Sequence, residues 1–206
     1  MSVASHKGLV AAAGPNAVII ATTESVRKAF EGPAPGDGNF KSFQPQLTLP
    51  MQMRVSQLAF SADELYLVLA AEVGGGLAVY EVQALLQGST QSAFELSTNG
   101  QALRALVPNP TAERAELFAI VTADGNFMMA NLKEKAIVPG PSGQILKEGV
   151  SCLSWTTKGK QLVAGFGNGT ACQMTPDGLS KVDIPKPPGI DDNHHGMCSA
   201  SPRSSN

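Results

Sequence analysis

The sequence predicts an all-β fold assembled from repeated small antiparallel sheets, and three observations carry that prediction. Short apolar runs of strand length recur along the 206 residues, broken by Gly, Asn and Asp, which tolerate the positive φ of tight hairpin turns. The run Val55–Phe60 (VSQLAF) is echoed by Leu103–Pro108 (LRALVP) and by Val150–Trp155 (VSCLSW), with starts 48 and then 47 residues apart. Behind each comes a second run, LVLAAE from Leu67, FAIVTA from Phe118 or LVAGFG from Leu162, then a turn (Gly74-Gly75-Gly76, Asp124-Gly125 or Asn168-Gly169) and a third run, LAVYEV, NFMMANL or TACQMT. A period of about 40 to 50 residues carrying several short strands is the signature of β-propeller blades.

Taken in order, the elements give three blades and a partial one. LVAAAGPNAVIIATT (residues 9–23) supplies the second and third strands of the opening blade, with Gly14-Pro15-Asn16 as its turn and no first strand legible ahead of it. The Gly/Pro-rich stretch from Glu31 to Gln46 lacks periodicity and reads as a surface loop. Leu58 and Phe60, like Leu153 and Trp155, share one strand face by the period of two, with the small residues Ala59 and Ser154 opposite. All four large residues are expected to be buried, with Trp155, Phe60 and Met53 as core wedges between blades. Tyr66–Ala71 is apolar without alternation, as a strand covered on both faces should be. The stretches QGSTQSAFELSTNGQ and KEKAIVPGPSGQILKEG are expected to hold fourth, edge-like strands, the second solvated by Lys133, Glu134 and Lys135. The domain plan is thus a partial propeller over residues 1–188 and a polar, divergent tail over 189–206, expected to be disordered.

Composition removes several function classes. Fifteen Lys and Arg against seventeen Asp and Glu leave a net charge of −2, without the basic footprint of direct nucleic-acid binding. No apolar run reaches the roughly 18 residues of a membrane span, and the first nine residues lack the charged-then-apolar plan of a signal peptide, so membrane insertion is not expected. Cys152, Cys172 and Cys198 are too few and too unevenly spaced for a disulfide framework or a zinc cage. The first two lie in strand-like runs and are expected to be reduced core thiols.

Four motifs could carry chemistry, and each has a plainer explanation. His194, His195, Cys198, Asp191 and Asp192 offer metal-ligand chemistry, but in a tail that nothing orders. Gly74-Gly75-Gly76 and the spaced Gly165, Gly167 and Gly169 resemble phosphate loops only superficially, since no Lys follows and no helix opens behind them. Ser5 and His6 are adjacent in sequence, which rarely makes side chains converge, and no orienting acid is placed. The sequon at Asn168 matters only for a secreted chain. No catalytic, cofactor or metal residue is assigned, and no cofactor or enzymatic activity is expected.

A longer likeness runs through SHKGLVAAAG, ATTESVRKAFEG, LPMQMRVSQLAFSADELYLVLAAEVGGGLAVYEV, FELSTNGQALRALVPNP, VSCLSWTTKGKQLVAGFGNGTACQMTPDG and IPKPP. Together these stretches, from Ser5 to about Pro188, resemble the N-terminal β-propeller of the fungal cytoplasmic-filament nucleoporins. The resemblance implies a seven-bladed ring, of which this chain holds about three blades and a part. It also implies a place at the cytoplasmic face of the nuclear pore complex among other nucleoporins. There the domain would be a docking module for the DEAD-box RNA helicase of mRNA export, with helicase contacts mainly on loops of later blades. Residues 1–206 alone are therefore expected to bind the helicase at least about tenfold more weakly than a full ring. A WD-repeat-like adaptor in another pathway and a four-bladed propeller enzyme are the alternatives. The second would need a converging acid, base or metal cluster on inner strands, which the sequence does not show.

Overall fold

Along Tyr66–Ala71 the side chains divide by the period of two: Leu67 and Leu69 enter one hydrophobic core, Val68 and Ala70 the next. That division, repeated from sheet to sheet, is the principle of the architecture. The computed structural model describes residues 1–31, 45–138, 145–186 and 188–189. Most of the expected loop between Glu31 and Gln46, and the tail with Asp191, Asp192, His194, His195 and Cys198, lie outside the described residues.

The described residues form four four-stranded antiparallel sheets. The first is β1 (Ser2–Ala4), β2 (Leu9–Ala13), β3 (Ala17–Thr22) and β4 (Leu47–Pro50), with helix α1 (Thr23–Phe30) leaving its third strand. The second is β5 (Val55–Phe60), β6 (Tyr66–Ala71), β7 (Leu77–Glu81) and β8 (Phe94–Leu96), with the short helix α2 (Val82–Leu86) between its last two strands. The third is β9 (Leu103–Pro108), β10 (Leu117–Thr122), β11 (Phe127–Asn131) and β12 (Ala136–Val138), and the fourth is β13 (Val150–Trp155), β14 (Leu162–Phe166), β15 (Ala171–Met174) and β16 (Ser180–Ile184). Each sheet is a simple meander, so every strand pairs with its sequence neighbour.

Three cores lie between the four sheets. Leu9, Ala11, Val18 and Ile20 of the first sheet meet Phe60, Leu67, Leu69 and Tyr80 of the second. The opposite face of the second sheet, through Val68, Leu77 and Val79, meets Leu106, Phe118 and Ile120 of the third. Ala119, Val121 and Phe127 on the third sheet's far side then meet Trp155, Leu162 and Met174 of the fourth. Among the described residues the four sheets are not closed into a ring. The outward faces of the end sheets are lined by half-buried Val10, Ala12 and Ile19 at one end and by Val163 and Gln173 at the other.

Several expectations need correction. The opening blade is not partial: Ser2–Ala4 pairs with Leu9–Ala13 as the first strand of a complete sheet. It escaped notice because three residues, with Val3 half exposed, give no periodic signal. Phe60 and Trp155 are buried as expected, but Leu58 and Leu153 are only half-buried. They belong to innermost strands, β5 and β13, whose burial is far less complete than that of β6 beside them. Met53 is no core wedge, being 37% exposed in the linker from β4 to β5. Of the thiols, Cys172 is buried and Cys152 only half so.

The innermost strands share an irregularity. In β5, β9 and β13 the pairing register slips at the second residue, where Ser56, Arg104 and Ser151 form a bulge. The extra residue frees a side chain to bond across the ladder. Ser151 Oγ donates to Gly165 O (2.9 Å), and Arg104 Nη2 donates to Ala123 O (2.8 Å).

Candidate interaction surface

Antiparallel meanders sort their loops onto two rims. The turns joining second to third strands, which include Gly14-Pro15-Asn16, Gly74-Gly75-Gly76, Asp124-Gly125 and Asn168-Gly169, share one rim with the linkers between sheets. The remaining connections, with α1, α2 and a 3-10 turn at Ala112–Arg114, form the other.

The first rim is stapled to its own framework by backbone bonding. Thr98 Oγ1 accepts the Gly76 N–H (2.7 Å) and donates to Gln101 O (2.6 Å), which ties the β6–β7 turn to the link between the second and third sheets. Gly75 sits so close to this link that a Cβ there would run into Thr98 Oγ1 and the Gln101 backbone. The Gly triplet is thus a packing device whose Gly76 N–H is already spent, and no helix follows it to make a phosphate cradle. Gly169 donates its N–H to Phe166 O (3.0 Å) within a hairpin, so the second glycine group is structural in the same way. Among the open grooves of this rim, one of about 400 Å³ runs along Met53, Leu77, Ala78 and Glu95, and one of about 440 Å³ lies beside Pro15, Val55 and the Arg54–Glu72 ion pair (3.3 Å). Burial, with the Glu95 charge adding to it, holds the Tyr80 phenol above its ordinary pKa.

The second rim carries the larger projections. Helix α1 starts at Thr22, whose Oγ1 accepts the Ser25 N–H (3.1 Å), and it buries none of its residues. Glu24 and Lys28 pair at 2.6 Å one turn apart, and the Lys28 hydrogen bond and charge hold the Glu24 carboxyl below the ordinary carboxylate range. Phe30 at the end of the helix is 72% exposed, and Leu65 in the β5–β6 turn is 52% exposed. Ser5 and His6, adjacent in sequence, are both exposed in the β1–β2 turn. The contact made there is by backbone: the His6 and Lys7 N–H groups donate to the two carboxylate oxygens of Glu64 (2.9 and 2.7 Å). Glu64 is buried and has a left-handed φ of 58°. It clamps the first sheet to the second.

The third and fourth sheets have their own clamp. Fully buried Asn109 donates through Nδ2 to Gly159 O (2.8 Å), and its Oδ1 accepts from the Thr111 N–H and hydroxyl (3.0 and 2.9 Å). These clamps were not singled out from sequence. Asn109 stands between Pro108 and Pro110, a turn signal that could have marked it, whereas nothing local marks Glu64. Among the described residues no group of three or more His, Cys, Asp or Glu is placed to hold a metal.

Stacked meander sheets with their faces consumed by one another, and loop-bearing rims left to solvent, define a β-propeller scaffold. The β-propeller domain of Cps50 (Swd1) from Myceliophteria thermophila superposes with a TM-score of 0.58 at 15% identity, over 82% of this chain and 49% of that one, a likeness of fold alone. The NUP159/214 beta propeller family matches residues 1–200, and the chain belongs to that family. Nucleoporin NUP159 of Chaetomium thermophilum is 60% identical over 94% of the chain. Nucleoporin nup146 of Schizosaccharomyces pombe is 29% identical over 90% of the chain, and human nuclear pore complex protein Nup214 is 28% identical over 94%. The chain spans only 13%, 14% and 10% of these relatives' own lengths. The family is one of nucleoporin β-propellers.

Proposed function

We propose that the chain is a non-catalytic docking module of the nuclear pore complex for the DEAD-box RNA helicase of mRNA export, acting beside other nucleoporins. The observation that carries the proposal is the 60% identity to Nucleoporin NUP159 over nearly the whole chain. The architecture supports it, because loops on a rigid rim are what such a fold leaves available to a partner. The test is calorimetric titration of the purified helicase with this chain and, in parallel, with full-length NUP159 of Chaetomium thermophilum. Expected are saturable binding by both, weaker for this chain by at least about tenfold, which is about 1.4 kcal/mol. Binding by neither refutes helicase docking, and equal affinity refutes the assignment of the main contacts to later blades. A pull-down that captures no pore or export protein would favour an adaptor role elsewhere.

A further inference from the structure

The link between the second and third sheets turns through Thr98, Asn99, Gly100 and Gln101. Both central residues have positive φ, 53° for Asn99 and 78° for Gly100, and the Gln101 N–H closes the turn onto Thr98 O at 3.1 Å, the pattern of a type I′ turn. Asn99 and Gly100 are exposed, and a Cβ at Gly100 would meet nothing within 4 Å. Among the described residues the Asn99 side-chain amide has no hydrogen bond, and the Gly100 N–H has none either.

We propose that Asn99 is a site of spontaneous deamidation and isoaspartate formation, and hence a substrate for methyl transfer from S-adenosylmethionine to the isoaspartyl carboxylate. The deprotonated backbone nitrogen of Gly100 attacks the Asn99 side-chain carbonyl carbon. A carbon–nitrogen bond forms, the side-chain nitrogen leaves as ammonia, and a five-membered succinimide remains. One water then opens the ring at either carbonyl, giving aspartate or isoaspartate, so no oxidant or cofactor is required. Glycine at the following position leaves the nitrogen open to this attack. The step requires rotation about the Asn99 Cα–C bond out of the left-handed region that the turn holds it in. Three bonds restrain that rotation: Gln101 N–H to Thr98 O (3.1 Å), the Thr98 hydroxyl to Gln101 O (2.6 Å), and the Asn99 N–H to Ser97 Oγ (3.2 Å).

The same dipeptide at Asn168-Gly169 is held differently. Asn168 Oδ1 accepts from the Thr170 N–H and hydroxyl (3.0 and 2.7 Å), and the Gly169 N–H is engaged by Phe166 O. Both reacting groups are thereby tethered, so one chain holds an open site and a guarded one. Conversion at Asn99 also has a structural consequence. Isoaspartate inserts a carbon into the main chain of the turn whose Thr98 hydroxyl bridges Gly76 N–H and Gln101 O. The hold on the β6–β7 hairpin loosens. Aspartate instead adds a negative charge to the rim where Gln101 Nε2 reaches Asp124 (3.4 Å).

The experiment incubates the whole folded chain in mildly alkaline buffer, with a denatured arm in parallel. Peptide mapping follows Asn99 and Asn168 separately, and purified isoaspartyl methyltransferase with labelled S-adenosylmethionine counts isoaspartate. In the folded chain Asn99 should convert at least about tenfold faster than Asn168, a barrier difference of about 1.4 kcal/mol. In denaturant the two rates should converge. Thr170→Val should speed conversion at Asn168 in the folded chain, and Asn99→Gly, which keeps the positive φ, should remove most of the methyl signal. Conversion of Asn168 as fast as Asn99 in the folded chain overturns the proposal, as does an Asn99→Gly chain that accepts as much methyl label as the parent.

Discussion

Replacing Trp155 tests how the sheets are held together. Its indole is 5% exposed in the core between the third and fourth sheets, and its Nε1–H donates across that interface to Val107 O at 3.1 Å. Trp155→Ala removes the largest side chain of this core and leaves a cavity, a change that costs about 3–5 kcal/mol in packed interiors. Trp155→Phe keeps most of the apolar contact but leaves the Val107 carbonyl without that donor, for about 1–2 kcal/mol. Stacked repeats touch only their neighbours, so the damage should be local. Denaturant unfolding gives the total loss, and hydrogen exchange resolved by strand shows where it falls. Protection should drop in β13 to β15 and in β10 and β11, and should persist in β2 and β3 two interfaces away. A loss below about 1 kcal/mol for Trp155→Ala would show that the site is not a packed core. Equal loss of protection in the first sheet would show that the four sheets unfold as one unit and refute the neighbour-only argument.

The clamps and surface groups give further expectations. Glu64→Ala strips the acceptors from the His6 and Lys7 N–H groups and should cost about 2–4 kcal/mol by denaturation, whereas Glu64→Gly, relieved of the left-handed φ, should be less damaging by about 1 kcal/mol. Equal losses would mean that the backbone conformation contributes nothing. Gly159→Ala drives a Cβ into the Asn109 amide at a φ of 62° and should lower the melting temperature more than any alanine substitution in the exposed strand β16. The Glu24 pKa is depressed, so its help to α1 is present above the ordinary carboxylate range and lost as pH falls through the lowered value. Carboxyl NMR should show the titration moving back up in Lys28→Ala, and an unmoved titration would exclude Lys28 as the cause. After dialysis the chain should hold no stoichiometric zinc, and one zinc per chain by elemental analysis would refute that.

What the sequence made legible was whatever is periodic. The spacing of 47 to 48 residues placed β5, β9 and β13, and the turns behind them located the second and third strands, because each of these elements repeats with the same chemistry. Elements that occur once were missed. α1 occurs once and repeats nothing, so its Thr22 cap has no counterpart in the other sheets, and β1 is too short to alternate. Leu58 and Leu153 were expected to match Phe60 and Trp155 because they share a strand face, but strand face alone does not tell how far from the axis the cover extends. The clamps failed to register for another reason. Glu64 bonds to residues 57 and 58 positions away, and Asn109 to one 50 positions away, so their partners are set by the stacking of sheets and not by local pattern.

The division of β6 and β10 between two cores also constrains how any partner can bind. A side chain on either strand already belongs to an interface between sheets, and Leu67, Val68, Phe118 and Ala119 have no exposed surface at all. A partner that read these strand faces would have to separate sheets, exposing apolar area at roughly 25 cal/mol for each Å² before gaining a contact. Rim loops carry no such penalty, since Phe30, Leu65 and Val73 already stand in solvent. On the proposed docking role, substitutions in the central strands should therefore change stability and leave binding by the folded fraction intact, while substitutions at rim positions should do the reverse. The clamp residues Glu64, Asn109 and Gly159 lie between these classes: they sit at a rim, yet their bonds join one sheet to the next. They are where a change at the binding surface would be transmitted into the stacking of the sheets, and where altered stability and altered binding should appear together.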